Sequence, residues 1–224
     1  MVKTTGIIVN QYPTQTYSTI FNQRSGLLIR SDDEFGNDPF WCSYGPELID
    51  ISITNWCDKG CSFCYKKSSR TGTHLSLDAY KSVLQQAAQM RVLQVALGGG
   101  NPNQHPDFCE ILRLTRDEYN IIPSYTTNGR GLSEDVLTAT KKYCGAVAVS
   151  VYEPYDEAFF AIQKLLDYGI KTNVHFLLSS KSIKTAIDWL HNLPSALEGI
   201  NAIIFLNYKP VGRNLNEELL VKKF

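Results

Sequence analysis

The chain has 224 residues, of which 43% are hydrophobic, and its 22 Lys and Arg balance 22 Asp and Glu. This length can bury the core of one domain, and a formal net charge of zero argues against nucleic-acid binding through a broad basic surface. No apolar run approaches the length of a membrane-spanning helix, and the N-terminus lacks a secretory pattern. We therefore expect a cytoplasmic protein with no membrane partner, in which the six cysteines stay reduced.

Residues 1–46 form an N-terminal extension without regular periodicity. Residues 17–30 are compatible with a short hairpin, because Ser25 and Gly26 precede an apolar run. Residues 31–39 are acidic and contain Gly and Pro, which is typical of a loop. We interpret this irregular extension as a lid, or as a cap on the bottom of the following domain.

From residue 47 the sequence alternates between apolar runs of strand length and amphipathic segments of helix length. Such alternation predicts right-handed βαβ units and a parallel sheet. Six strands suggest a partial (β/α)6 TIM-type barrel over residues 47–213 with a tail at 214–224, and a doubly wound sheet is the alternative. The predicted strands are 48–54, 92–97, 121–126, 146–151, 172–178 and 203–208, and the predicted helices are 76–90, 106–119, 133–143, 153–168 and 182–192.

Local chemistry marks several helix ends. Ser76, Ser133 and Ser182 stand where three of the helices begin, and a serine at that position can accept a hydrogen bond from a free backbone N–H. Gly169 stands where the fourth helix should stop before the next strand.

Three cysteines, Cys57, Cys61 and Cys64, follow the first predicted strand within eight residues. Three soft ligands on one loop predict a metal site with one coordination position left open. The alternative is a structural zinc site, which needs a fourth ligand. The candidates for that ligand are His74, His105 and Cys109.

Polar and small residues follow the other strands, at the edge where parallel strands place functional groups. Each has an ordinary explanation: a glycine-rich turn is often only a tight turn, Ser150 could cap a helix, and an inward His175 is often a core histidine. Their joint order after successive strands favours a site instead. The residues are Gly98, Gly99, Gly100, Asn101 and Pro102 after strand two, Asn128 after strand three, Ser150 on strand four, and Asn173 and His175 on strand five.

At these residues the sequence resembles the radical S-adenosylmethionine (radical SAM) superfamily, over about residues 47–213. The hallmark Cys-x3-Cys-x-aromatic-Cys is matched by Cys57, Cys61, Phe63 and Cys64. The resemblance implies that the three thiolates hold a [4Fe–4S] cluster whose fourth iron binds S-adenosylmethionine (SAM). An electron donor such as flavodoxin or ferredoxin then drives SAM cleavage to a 5′-deoxyadenosyl radical, which abstracts hydrogen from a substrate.

Further roles are implied by the same resemblance. Gly99–Pro102 resembles the Gly-Gly-Glu-Pro turn that contacts the SAM amino group, with Asn101 in place of the glutamate. Asn101 offers a carbonyl oxygen but no charge. The remaining contacts implied by the resemblance are the third-strand residue Asn128, the fourth-strand residue Ser150, and the aromatic residues Phe63 and Tyr65, which would shield the cluster and adenine. Asn173 and His175 on the fifth strand are also expected to contact a cofactor.

The substrate is less defined by the sequence than the cofactors. Pro210 to Arg213 resembles the Pro-x-Gly-Arg turn of peptide-modifying members, and this favours a peptide, a protein or another bulky substrate. A small metabolite or nucleotide is the alternative. A zinc-binding module without catalysis is the remaining hypothesis, from a different class of protein.

Overall fold

The computed structural model describes residues 6–12, 17–32, 45–213 and 215–221. Most of the predicted acidic loop and part of the predicted C-terminal tail lie outside these ranges. The described residues form two sheets, one of three strands and one of six. In this part of the chain, no helix has the length and apolar character needed to cross a membrane.

The six-stranded sheet is parallel, and its strands lie side by side in the order of the sequence. In a doubly wound sheet the order of the strands reverses at a switch point, whereas a sheet with its strands in sequential order can curl into a barrel. The predicted partial barrel is therefore confirmed, and its two ends are the first strand, at Leu48–Thr54, and the last strand, at Ala202–Asn207. The strands are β4 (Leu48–Thr54), β5 (Gln94–Gly99), β6 (Ile122–Thr127), β7 (Val147–Val151), β8 (Thr172–Leu178) and β9 (Ala202–Asn207).

Five α-helices connect these strands, as predicted. Ser76 and Ser133 cap two of them, because their hydroxyl oxygens accept from the N–H groups of Ala79 and Val136. The predicted cap at Ser182 is wrong, since its hydroxyl donates to the Leu177 carbonyl instead. The helices are α1 (Leu77–Gln89), α2 (Phe108–Arg113), α3 (Glu134–Tyr143), α4 (Asp156–Asp167) and α5 (Ile183–His191).

Two helices differ from the predicted bounds by more than one residue at an end. The second changes to a π-helical turn over Leu114–Glu118, which the 3.6-residue periodicity does not anticipate. The fourth begins at Asp156 rather than at 153, because Pro154 restricts the backbone of the residue before it. It stops as predicted at Gly169, which adopts φ +63° and donates its N–H to Leu166.

The hydrophobic core lies between the outer face of the barrel and the helices. Strand residues such as Val95, Val149 and Val174 pack there against helix residues such as Leu84 and Leu165, and all five are fully buried. Residues that alternate with them along each strand face the barrel interior. From β4 to β8 that inner face is small or polar at Asp50, Ser52, Ala96, Gly98, Ser124, Thr126, Ala148, Ser150 and His175, whereas Leu177 of β8 and Ile204 and Leu206 of β9 are apolar.

The N-terminal region is more regular than the sequence predicts. The hairpin expected over residues 17–30 is present as β2 (Tyr17–Asn22) and β3 (Leu28–Asp32), and β1 (Ile7–Gln11) pairs with β2. We did not predict β1, because five residues give too short an alternation to identify.

This small sheet packs against the amino ends of the barrel strands. Phe21 forms a buried cluster with Leu93 and Ile122, which stand at the starts of β5 and β6. Arg30 forms an ion pair of 2.5 Å with Glu47, next to the start of β4. The described part of the extension therefore lies at the bottom of the barrel, away from the carboxyl ends of its strands.

Candidate functional site

The cysteine loop leaves the carboxyl end of β4. Cys57, Cys61 and Cys64 are partly buried free thiols. Gly60 turns the chain with φ +66°, and the N–H of Cys64 donates to the Cys61 carbonyl at 3.2 Å. These turns place three thiols on one short segment at the top of the barrel.

The glycine run after β5 lies directly against the start of this loop. A Cβ at Gly99 would lie 2.0 Å from the Thr54 carbonyl oxygen, and one at Gly100 would lie 2.0 Å from that of Trp56. The Gly100 N–H donates to Thr54 at 2.7 Å. Gly98 differs, since a Cβ there would meet no atom within 4 Å. Two glycines are therefore needed for packing, while Gly98 leaves free space at the inner wall.

Asn101 is fully buried and joins the turns after β5 and β6. Its carbonyl oxygen accepts from the Thr127 hydroxyl at 3.1 Å and from the Asn128 N–H at 3.0 Å. Its amide nitrogen donates to the Arg130 carbonyl at 3.0 Å and to Gln104 at 2.8 Å. The Asn101 carbonyl oxygen is therefore enclosed and already accepts two hydrogen bonds, so these contacts favour a role in holding the turn over the expected contact with SAM.

Asn101→Ala is expected to destabilise the fold by about 2–4 kcal/mol, because it leaves the Thr127 hydroxyl and the Asn128 N–H buried without their acceptor. The measurement is the free energy of unfolding in denaturant, with SAM affinity measured in parallel on the folded fraction. A variant of native stability with weakened SAM binding would instead support direct contact between Asn101 and SAM.

Two side chains contact the thiols from neighbouring strands. The Asn128 amide donates to Cys57 Sγ at 3.5 Å, and the Tyr152 hydroxyl lies 2.8 Å from Cys61 Sγ. Burial raises the pKa of the Cys61 thiol, while the hydrogen bond to Tyr152 acts in the opposite direction. Tyr152 is not among the residues predicted from the sequence, although its place two residues after Ser150 puts both on the same face of β7 and its extension.

A group of charges anchors the loop to α4. Lys59 forms an ion pair of 2.9 Å with Glu157 and lies 4.8 Å from the centroid of the Tyr152 ring. Arg130 pairs with the same carboxylate at 2.5 Å. Burial alone would raise the pKa of Glu157, but hydrogen bonds from Arg130 and Lys59 outweigh it and lower that pKa. The carboxylate thus holds the loop next to the turn after β6.

Of the predicted inner-wall residues, Ser150 and His175 lie side by side in the register of β7 and β8. Asn173 does not join them at the top. It stands near the amino end of β8, where its carbonyl oxygen accepts from Asn201 at 2.8 Å. Asn173 and His175 lie on the same face of β8, but Asn173 is two residues nearer the amino end, so the two side chains stand at different heights in the barrel.

His175 is expected to make stability depend on pH. Burial lowers its pKa in the folded state, so below its ordinary value near 6.5 the unfolded chain binds a proton that the folded chain excludes. Stability is therefore retained above about pH 6.5 and falls as the pH drops below it. Denaturant unfolding at several pH values should show a shallower decline in His175→Gln, and an identical decline in both proteins would contradict this assignment.

The aromatic residues of the cysteine loop have different surroundings. Phe63 contacts Tyr152 edge to face, with ring centroids 4.7 Å apart. Tyr65 is 63% exposed. Phe63 therefore belongs to the packed wall beside Cys61, whereas Tyr65 has room to contact a bound ligand.

The residues considered for a fourth zinc ligand are engaged elsewhere. His74 lies 2.9 Å from the Thr54 hydroxyl, and His105 lies 2.9 Å from the Leu75 carbonyl oxygen. Cys109 contacts the Asp135 carbonyl. Within the described ranges, no three Cys, His, Asp or Glu side chains converge to hold a single metal ion.

A comparison with known families identifies the class of protein. The chain belongs to the Radical SAM superfamily, which it matches over residues 51–198. Among relatives, it is 26% identical to GTP 3′,8-cyclase of Cronobacter sakazakii over 201 residues, covering 76% of this chain and 61% of that protein. It is also 33% identical to PqqA peptide cyclase of Gluconobacter oxydans over 96 residues, covering 42% and 26%.

Solved structures with the same fold include SuiB of Streptococcus suis, with a TM-score of 0.71 at 15% identity, covering 99% of this chain and 65% of that one. Another is anSMEcpe with bound AdoMet, with a TM-score of 0.61 at 15% identity, covering 78% and 53%. The chain spans about three fifths of the length of the GTP 3′,8-cyclase that it matches. At these identities the structures support the fold alone.

The superfamily uses two cofactors, a [4Fe–4S] cluster and SAM. The site fits both. Cysteine thiolates are the usual ligands of iron–sulfur clusters, and three on one loop leave one iron for another ligand. The open space at Gly98 lies beside Ser52 of β4, two strand positions before the loop begins to leave the sheet.

Proposed function

We propose that this chain cleaves SAM reductively at a [4Fe–4S] cluster held by Cys57, Cys61 and Cys64. When bound, the cluster and SAM supply a 5′-deoxyadenosyl radical, which abstracts hydrogen from a substrate. The observation that carries the proposal is the set of three free thiols beside an inner wall left open at Gly98.

Several residues of the chain would prepare the site for this reaction. Asn128 and Tyr152 orient two of the thiols by direct contact. Phe63 packs against Tyr152 and excludes water from one side of Cys61. The glycine turn from Gly98 to Pro102 presents backbone groups to SAM, with Asn101 as the buried residue that holds the turn in place.

Ser150 and His175 are the proposed inner-wall contacts to SAM or substrate. Because burial lowers its pKa, His175 is neutral at pH 7 and can donate or accept a hydrogen bond. Asn173 lies lower in the barrel and is not included in this part of the proposal.

A peptide or another bulky substrate is the favoured class. The inner wall is small or polar at Ala96, Gly98, Ala148 and Ser150, which leaves room for a bulky group at the top of the barrel. The relative named PqqA peptide cyclase supports this class. A nucleotide is the second candidate, because the match to GTP 3′,8-cyclase covers more of this chain.

The reaction also requires an external reductant. A flavodoxin or ferredoxin in the cytoplasm is the proposed electron donor, because thiolate ligation and a reduced cluster both suit a reducing compartment.

Anaerobic purification tests the proposed function. We expect a brown protein with about four irons and four sulfides per chain, which releases 5′-deoxyadenosine when dithionite and SAM are added. One zinc per chain without sulfide would contradict the proposal. Adding candidate peptides or GTP should then increase the release, and the class that does so identifies the substrate.

A further inference from the structure

The turn that follows β9 lies against the cysteine loop. The Arg213 N–H donates to the Cys64 carbonyl at 3.0 Å. The Arg213 guanidinium donates to the Cys61 carbonyl at 2.8 Å through Nη1, and to the Ser68 carbonyl through Nη2. One residue thus binds three carbonyl oxygens of the segment that carries two of the three thiols.

Gly212 permits this close approach. It adopts φ +89°, a left-handed conformation that residues with a side chain rarely occupy. A Cβ at this position would lie 2.4 Å from the Cys64 carbonyl oxygen and 2.5 Å from Tyr65 Cα. Only glycine therefore lets the two backbones touch here, and the glycine and the arginine act as one unit.

The position of this turn in the barrel gives the contact its consequence. β4 and β9 are the two ends of the open sheet. The cysteine loop leaves β4, and the Gly-Arg turn leaves β9. Their contact joins the first and last strands of the barrel at the carboxyl edge, although no backbone hydrogen bonds pair β4 with β9.

The loop itself has few other restraints between Cys61 and Ser68. The Cys61 and Cys64 carbonyls accept further bonds only from N–H groups three residues ahead, each at 3.2 Å, among the backbone bonds of the described residues. Short turns of this kind open easily. Charge-assisted bonds from a guanidinium are stronger than neutral ones and fix direction as well as distance.

We propose that Gly212 and Arg213 form a latch that holds Cys61 and Cys64 in the arrangement needed to assemble and retain the cluster. Arg213 is a positioning residue in this account, because its contacts are to backbone carbonyls of the loop. This proposal rests on the proposed function, because the latch would hold the loop of the cluster site against the turn that follows β9.

The test measures iron retention in the reconstituted full chain. After anaerobic reconstitution, the rate of iron loss to a chelator is followed by absorbance, and thermal unfolding of the iron-free protein is recorded beside it. Arg213→Ala should lose iron about tenfold faster than wild type, on the scale of one charge-assisted hydrogen bond. Arg213→Lys should fall between the two, because an ammonium can still donate to one carbonyl.

Two further variants separate positioning from general stability. Gly212→Ala should lose iron at least as fast as Arg213→Ala, since its Cβ forces the turn off the loop. Arg30→Ala removes the ion pair with Glu47 at the bottom of the barrel and does not touch the loop. It should lose iron at the wild-type rate.

The outcomes distinguish the latch from the function on which it rests. Wild-type protein that binds no iron–sulfur cluster would overturn the proposed function. Wild-type protein with a cluster that Arg213→Ala and Gly212→Ala retain equally well would overturn the latch alone. Iron loss in Arg30→Ala equal to that in Arg213→Ala would show that iron loss does not depend on contacts to the cysteine loop, and would also overturn the latch.

Discussion

Cys61→Ala is expected to reduce the iron content from about four per chain to near zero and to bring 5′-deoxyadenosine release down to background. No neighbouring residue can replace the central cysteine as a thiolate ligand, since the residues on either side of it are Gly60 and Ser62. A cluster with two protein thiolates would lose iron to solvent during purification. The measurements are iron and sulfide content and chromatography of the nucleoside after addition of dithionite and SAM.

Cys109→Ala is the matched control for this change. Cys109 is a partly buried thiol on α2, and its contact is to the Asp135 carbonyl rather than to the cysteine loop. The control should keep its iron and its release of 5′-deoxyadenosine. If both variants behave alike, or if Cys61→Ala keeps its activity, the assignment of the cysteine loop is wrong.

Gly100→Ala should destabilise the protein by about 2–3 kcal/mol or more, the cost of forcing atoms into a packed interior. The new Cβ would lie 2.0 Å from the Trp56 carbonyl oxygen. The backbone must therefore move, and the bond from the Asn101 N–H to that carbonyl would be lost with it. Because Trp56 directly precedes Cys57, we also expect poor cluster assembly in the fraction that folds.

Gly98→Ala is the matched variant two residues earlier. Its Cβ would enter open space, so its stability should stay within about 1 kcal/mol of wild type. If SAM occupies that space, affinity for SAM should fall although the protein folds and holds iron. Denaturant unfolding and equilibrium binding measure the two effects. Equal stability of the two variants would contradict the packing role of Gly100, and unchanged SAM affinity in Gly98→Ala would remove Gly98 from the proposed pocket.

Much of the fold could be predicted from the sequence because its signals are local. β4 and β8 have the predicted bounds, since each is a continuous run of strand-forming residues ended by a change of pattern. Sequential strands joined by helices allow few topologies, which made the parallel order predictable. The cysteine loop was equally evident, because its three cysteines lie within eight residues of sequence.

The remaining features depend on contacts between distant parts of the chain. Asn101 was assigned to SAM from its place in a turn, but its carbonyl oxygen meets Thr127, 26 residues away. Tyr152 reaches Cys61 across 91 residues. Such pairings follow from how strands are arranged around the barrel, and no local periodicity encodes them.

The C-terminal turn is the clearest case of this kind. The sequence indicated a short motif at Pro210–Arg213 and related it to substrate class. Its contacts are instead with the loop of the first barrel strand, since Arg213 lies 152 residues from Cys61 in the chain and 2.8 Å from its carbonyl oxygen. The same residues therefore support a role in holding the cofactor site.

Electron paramagnetic resonance of the reduced protein, with and without SAM, tests the central claim most directly. The claim is that three cysteines hold a [4Fe–4S] cluster with one iron open to SAM. We predict a cluster signal from the reduced wild-type chain that changes when SAM is added, and no such signal from Cys61→Ala. A signal that saturating SAM leaves unchanged, or one that persists in Cys61→Ala, would contradict the account.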